Sequence, residues 1–354
     1  MNVLRNRQTK YIIKATALLN LHLIHFSSTS YRIGAPNIPV YLWTSDTILP
    51  VPFRRYLKMP ELNFQNSFTK NSHKKPYAAI DPTQPSFSAA GKTVLITAGH
   101  TGIGFSIAQN FSIAGASHVI LLARRIEVLE KSTKDLSTKC PKTKFHYFVS
   151  SVTDHVKVKD VFSEIRSRIS SDIDILVTSA AYAAPVADPV DLPSEELSAS
   201  FETNFFGNAN LVREFLLKTS ETGSDKDKVI LDVSTAAVHL LMPNISAYGV
   251  SKLAFTQWVA RIQQDRAERG LRVHSFHPGA VLTDAVRAFG MNEETMPWDD
   301  VQLPGQFAVW LASKEATFLK GRFVWANWDV QELVEMKAQF ESDPELLKVA
   351  LVGK

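Results

Sequence analysis

The stretch Ser246-Ala247-Tyr248-Gly249-Val250-Ser251-Lys252 carries the side chains best suited to chemistry in this chain. An apolar pattern at helical spacing follows it (Leu253, Ala254, Trp258, Val259, Ile262) and ends near Gly270. On a helix, a spacing of four puts Tyr248 and Lys252 on one face, a turn apart. A free tyrosine ionises near pH ~10, too high for ready proton exchange at neutral pH. A lysine ammonium close by favours the phenolate and lowers that value. A tyrosine so tuned can give a proton to a carbonyl oxygen or take one from an alcohol. Tyr-x-x-x-Lys also decorates many surface helices, so the pair gains meaning only from companions.

Those companions need elements to hold them. From Lys92 onward, short apolar runs alternate with helical stretches. Strands are expected at Thr93–Ala98, His118–Ala123, Phe145–Ser150, Ile173–Thr178, Lys228–Ser234, Arg272–Phe276 and Arg322–Ala326. Helices are expected at Gly102–Ile113, Ile126–Leu136, Val156–Ile169, Glu195–Lys218 and Leu303–Ala312, besides the Tyr248 helix. Strands separated by helices predict a doubly wound, Rossmann-type α/β fold, a parallel sheet of about seven strands with helices on both faces. Residues 92–354 then form a single domain, preceded by an irregular arm at 59–91 and a basic leader at 1–58.

The first expected strand runs into Thr97-Ala98-Gly99-His100-Thr101-Gly102-Ile103-Gly104. A strand, a glycine turn and a helix start aim backbone N–H groups and the positive helix end at a phosphate. The second strand ends Leu121-Leu122-Ala123-Arg124-Arg125. A carboxylate there would grip an unphosphorylated ribose, whereas arginines suit a 2′-phosphate, so NADP(H) is expected over NAD(H). Two solvated arginines at a helix start are the plainer alternative.

Taken together these motifs resemble the short-chain dehydrogenase/reductase family, in its single-domain branch and most like fungal members, from about Pro76 to Trp328. The resemblance puts the nucleotide motif on Thr97–Gly104, with Thr97, Gly99, Thr101, Gly102, Ile103 and Gly104 as cofactor contacts. It places the active-site asparagine on Asn204 and the catalytic serine on Thr235, thirteen residues before Tyr248 and next to Ser234. Thr235 or Ser234 would hydrogen-bond the substrate oxygen, and Tyr248 would transfer the proton. Lys252 would also grip the ribose, and Asn204 would anchor a water that links Lys252 to solvent. Pro278-Gly279-Ala280-Val281-Leu282-Thr283 matches the segment that holds the nicotinamide amide and a phosphate. The family pattern implies a homo-oligomer as well. Four departures stand out. Ala98 replaces the first glycine of the turn, with Gly99 beside it to relieve the strain. Ser151 stands where an aspartate often meets adenine. Thr178-Ser179-Ala180-Ala181 replaces Asn-Asn-Ala-Gly, with Ala180 on the cofactor side. Thr235 adds a methyl to the expected serine.

The expected substrate is a small hydrophobic ketone, aldehyde or secondary alcohol. Segments after the strand ends line the crevice in such sheets. Here they carry Tyr182, Pro185, Val238–Met242, Phe289, Met291, Met296 and Trp298, the last four read as a lid. A regulator or scaffold that binds cofactor without turnover is the alternative class.

Composition removes other classes. The 354 residues are 45% apolar and 21% charged, and the one cysteine, Cys140, excludes an internal disulfide framework and fits a reducing compartment; no metal site is expected. The net charge is +4, but residues before Met59 carry eight basic groups against Asp46, which is +7 and leaves −3 for the rest. A mildly acidic body argues against nucleic acid as the partner. The leader is basic, hydroxyl-rich and acid-poor, as in a mitochondrial presequence, or else untranslated ahead of Met59. Its apolar run Tyr11–Phe26 is broken by Lys14, Asn20, His22 and His25 and makes a poor membrane span. The expected location is cytoplasmic, or mitochondrial if the leader acts as a presequence.

Overall fold

The computed structural model describes residues 39–44, 47–52, 68–169, 172–222, 225 and 227–350. The chain divides into two units, Met1–Arg55 and Tyr56–Lys354. In the first, β1 (Pro39–Thr44) and β2 (Thr47–Pro52) form an antiparallel two-stranded sheet. The rest of the leader, including Tyr11–Phe26, lies outside the described residues. Among the described residues no helix is long and apolar enough to cross a membrane.

In the second unit seven strands form one wholly parallel sheet. They are β3 (Thr93–Thr97), β4 (His118–Ala123), β5 (Lys144–Val149), β6 (Ile175–Thr178), β7 (Val229–Val233), β8 (Arg272–His277) and β9 (Phe323–Trp325). Their spatial order is β5-β4-β3-β6-β7-β8-β9. The order reverses beside β3, so a crevice opens between the C-terminal ends of β3 and β6. Alternate residues of β3 feed two separate cores. Val94 and Ile96 face helices α1 (Gly102–Ile113), α2 (Ile126–Lys139) and α8 (Gln302–Ala312). Leu95 faces α3 (His155–Ile169), α5 (Asn208–Thr222) and α6 (Ser246–Asp265). That two-sided burial is why these strands are apolar throughout rather than alternating.

Two elements differ from the sequence expectation. The single helix expected at Glu195–Lys218 is α4 (Ser194–Phe201), then π-helical turns at Glu202–Gly207, then α5. Gly207 lies against Val152, where a Cβ would stand 2.7 Å from Val152 Cγ2, and the bulge accommodates this approach. The Tyr248 helix stops at Asp265, and a short 3₁₀ turn leads to the left-handed Gly270.

The described part of the arm, from residue 68, carries short 3₁₀ turns at Ala78–Ile80 and Pro85–Phe87, and it is docked. His73 N donates to Asn327 O at 2.7 Å, and Asn327 Nδ2 returns a bond to His73 O at 2.9 Å. Lys70 N, Asn71 N and Asn71 Nδ2 all donate to the Glu332 carboxylate. Tyr77 Oη donates to Trp328 O and accepts from Val330 N. The arm thereby closes the chain around α9 (Val330–Glu335).

Candidate active site

β3 ends at a turn whose backbone leaves Ala98 in the left-handed region, with φ of 51°. An alanine held there is strained by roughly 1–2 kcal/mol. The strain sits on Ala98 itself, so Gly99 does not relieve it. Gly99 is required for space, since a Cβ would stand 2.8 Å from Leu121 Cδ2. The helix α1 then starts without a side-chain cap at Thr101, which leaves its first N–H groups facing outward. At Gly104 a Cβ would lie 2.5 Å from Ala98 O, so turn and helix are in contact. These features suit the pyrophosphate of a dinucleotide. Thr97 acts one step behind. Its buried hydroxyl accepts from Ser179 N and Ala180 N, both at 2.9 Å, and so positions Ala180 rather than meeting a ligand.

At the end of β4, Arg124 and Arg125 are exposed. Within the turn, His100 lies near enough to both arginines to feel their charge, and its Nδ1 is buried with no hydrogen-bond partner. Burial holds its imidazole below the usual histidine range, and the charges of Arg125 and Arg124 act in the same direction. Its Nδ1 is enclosed, so the groups open to a phosphate here are the two exposed guanidiniums. The sequence reading did not single out His100, because only the fold brings it to the arginines. Ser151 is occupied locally, sharing a 2.8 Å hydrogen bond with Thr153.

The segment after β8 closes the other side. Gly279 has φ of +91°, and a Cβ there would meet Asp299 Oδ2 at 2.6 Å. Asp299 accepts from Ala280 N at 2.7 Å and from Asn327 Nδ2 at 3.0 Å, which ties this loop to the docked arm. Val281 is buried, and Pro278 with it. Thr283 caps the short helix α7 (Asp284–Ala288) through Val286 N. Its methyl faces Gly102, where a Cβ would meet Thr283 Cγ2 at 3.0 Å, and Thr101 Oγ1 donates to Asp284 Oδ2 at 3.2 Å. The turn with Ile103 and the Pro278–Thr283 segment are therefore one continuous wall.

Tyr248 and Lys252 share one face of α6, as expected. Tyr248 is half-buried, and the Thr235 side chain lies close enough to act on its phenol. Burial raises its phenol above the usual tyrosine value, Lys252 and Thr235 oppose this, and Asp232 adds to it. The net direction is upward, against the sequence expectation of a lowered value, because desolvation outweighs the lysine. Lys252 is fully buried; its Nζ donates to Val233 O at 2.9 Å and pairs with Asp232 Oδ1 at 3.3 Å. Ser234, the alternative to Thr235, shares its hydroxyl with Thr256 at 2.8 Å and is buried, so Thr235 alone meets Tyr248. Asn204 sits within the π-helical turns. Its Oδ1 accepts from Tyr182 N at 2.7 Å, and its Nδ2 donates to Tyr182 O at 2.8 Å and Ser251 Oγ at 2.9 Å. It braces the start of α6 through Ser251.

Of the expected pocket residues, Val238 belongs to the core and Leu241 stands in solvent at 99% exposure. Tyr182 donates its hydroxyl to Glu196 Oε2 at 2.6 Å, and Pro185 is exposed. Phe289, Met291, Met296 and Trp298 are half-buried, and Trp298 Nε1 donates to Asn292 O at 2.7 Å. Asp299 N bonds Ala280 O at 2.7 Å, so this segment is a loop stapled at its base.

A doubly wound sheet with a phosphate turn at its reversal and a tyrosine–lysine pair beside it defines a dinucleotide-dependent oxidoreductase. The short chain dehydrogenase family model matches residues 92–294. A short chain dehydrogenase/reductase of Claviceps purpurea is 37% identical over 80% of this chain and 94% of its own length. The AacuD short chain dehydrogenase/reductase of Aspergillus aculeatus is 33% identical over 80% and 96%. Among solved structures, a short chain dehydrogenase/reductase family protein superposes with a TM-score of 0.58 at 25% identity, covering 68% of this chain and 98% of that one. A short chain dehydrogenase of Shigella flexneri, complexed with NADP, gives 0.62 at 18% identity over 69% and 99%. The chain belongs to the short chain dehydrogenase family. It is an oxidoreductase acting on CH–OH or C=O groups, and the family's cofactor is NAD(P).

Proposed function

We propose that this enzyme reduces a hydrophobic ketone or aldehyde at the expense of NADPH, with Tyr248 as proton donor. The observation that carries this reading is Tyr248 itself, half-buried beside Thr235 on the face of α6 that also carries the buried Lys252, with burial raising its phenol. A tyrosine held in its neutral form is an acid, which suits protonation of a developing alkoxide. The nicotinamide, when bound, supplies the hydride. Thr235 orients the substrate oxygen toward the phenol, and Lys252 stabilises the phenolate left behind. Asn204 holds the first turn of α6 in place. Arg124 and Arg125 support NADP(H) over NAD(H), since two exposed guanidiniums stand at the end of β4 where a ribose phosphate would be met. The half-buried Phe289, Met291, Met296 and Trp298 support a hydrophobic substrate. Exposed Phe206 and Leu217, together with half-buried Trp258, support a homo-oligomer. The test is a panel of ketones, aldehydes and secondary alcohols with NADPH or NADP+, followed at the nicotinamide absorbance. Turnover confined to polar sugars, or to NADH, would overturn the reading.

A further inference from the structure

The least expected group near the tyrosine is a carboxylate. Asp232 lies on β7, three residues before Thr235, and is fully buried. Its Oδ1 is 3.3 Å from Lys252 Nζ, and its Oδ2 accepts from Thr256 Oγ1 at 2.8 Å. Lys252 and Thr256 are four apart on α6, so one turn of helix presents both to the same carboxylate. The Thr256 hydroxyl is in turn shared with Ser234 Oγ at 2.8 Å. A carboxylate removed from water is retained in a fold only when paired and hydrogen-bonded, and both conditions are met here.

We propose that Asp232 is a positioning residue that fixes where the charge of Lys252 lies and how much of that charge Tyr248 feels. Two of the three ammonium N–H groups are committed, one to Asp232 and one to Val233 O, so the amine has one direction left to offer a ligand. The pair presents Tyr248 with a dipole rather than a bare positive charge. An isolated ammonium would favour the phenolate strongly, and the enzyme would lose its acid form at lower pH. Asp232 therefore keeps Tyr248 protonated over a wider range and biases the enzyme toward carbonyl reduction. The charged groups that act on the phenol are Lys252 on its own helix and Asp232 on β7. The register neighbours of Asp232, Thr178 on β6 and Ser275 on β8, are uncharged. His277, at the end of β8, is held neutral by burial and accepts from Ala236 N.

This inference rests on Tyr248 as proton donor, so the experiment keeps the two separate. Asp232→Asn preserves shape and an oxygen for Thr256 while removing the charge. The readout is the pH profile of NADPH-dependent carbonyl reduction in the full chain, with NADPH affinity measured beside it. The falling alkaline limb is expected to move down by roughly half to one pH unit, with turnover on the acid side of the limb retained within about threefold. Thr256→Val, which leaves the carboxylate in place, is expected to keep the wild-type limb. An Asp232→Asn limb that stays put, with only a lower melting temperature, would make the pair a structural salt bridge and overturn the proposal. A limb that moves upward would overturn it too, because the lysine would then need Asp232 to stay charged. If the asparagine variant does not accumulate, Asp232→Ser, which leaves room for a water, is read by the same criteria. Tyr248→Phe is the control. If it stays active, the proton-donor reading falls; if it is dead and the limb of Asp232→Asn is unmoved, only the role of Asp232 falls.

Discussion

Replacing Gly104 by alanine tests the phosphate turn directly. The new Cβ would lie 2.5 Å from Ala98 O, 3.0 Å from Ala98 C and 3.1 Å from Gly99 Cα. An unstrained carbon–oxygen contact is about 3.3 Å, so the turn or the helix must shift by roughly 0.8 Å. All three neighbours are backbone, and none can rotate away. Overpacking of this kind costs roughly 1–3 kcal/mol, offset by about 1 kcal/mol of helix propensity gained on losing a glycine. The net expectation is a loss of about 1 kcal/mol, or roughly 2–4 °C in melting temperature. The effect on cofactor is larger. A displaced turn loses a charge-assisted hydrogen bond to phosphate, about 1.5–3 kcal/mol, which is roughly 10- to 100-fold in the dissociation constant of NADPH. Binding is read by quenching of tryptophan fluorescence and stability by thermal unfolding. A variant that binds NADPH as tightly as the parent would refute the claim that this close packing of helix on turn shapes a pyrophosphate site.

Tyr248→Phe should lower turnover by about 10²- to 10⁴-fold while NADPH still binds, and near-normal kcat would defeat the mechanism. Arg124→Ala should weaken NADPH roughly 10- to 100-fold and leave NADH unchanged, as titrations with both would show; an equal loss for both cofactors argues against a 2′-phosphate site. His274 and His277 are both pushed down to about 3 by burial, so the unfolded chain takes up protons first as pH falls below its own value near 6.5. These two groups should together cost about 3 kcal/mol of stability as the pH falls from about 7.5 to 5.5, and His100, His118, His146 and His239, also held below the usual value, add to the loss. His274→Leu should reduce that loss by about 1.4 kcal/mol in chemical denaturation, and an unchanged loss would refute it. A chain begun at Met59 should match the full chain in yield and activity. One begun at Ala78 discards the Asn71–Glu332 and His73–Asn327 bonds and should lose on the order of 3 kcal/mol, seen as a lower melting temperature.

The sheet was legible because its signal is local. Runs such as Val119–Leu122 and Val229–Leu231 are buried on both faces, and their alternation with helical stretches points to a parallel sheet. The approach of Tyr248 and Lys252 followed from a spacing of four, and the turn from its glycines. What escaped depends on partners far away in sequence. The π-helical break at Asn204 answers a contact with Val152, and the local pattern over Glu195–Lys218 is helical throughout. His100 gains its setting from Arg124 and Arg125, which arrive on another strand. Asp232 looks like an ordinary strand interruption until Lys252 and Thr256 are placed over it. The direction of the Tyr248 shift was misjudged for a similar reason. Spacing reveals the lysine, but desolvation depends on everything packed around the ring.

The docked arm has a consequence for synthesis. The sheet grows outward from β3, so each later strand meets an edge already present when it leaves the ribosome. Residues 70–77 are the exception, because their partners at Asn327, Trp328, Val330 and Glu332 come some 254 residues later. At about 5–20 residues per second, the arm waits on the order of half a minute for them. A transcript cut short before Asn327 would yield a chain whose arm has nothing to close on and whose Gly279 loop lacks the Asn327–Asp299 tie. Closure of the arm thus reports that the chain has been made at least through Glu332.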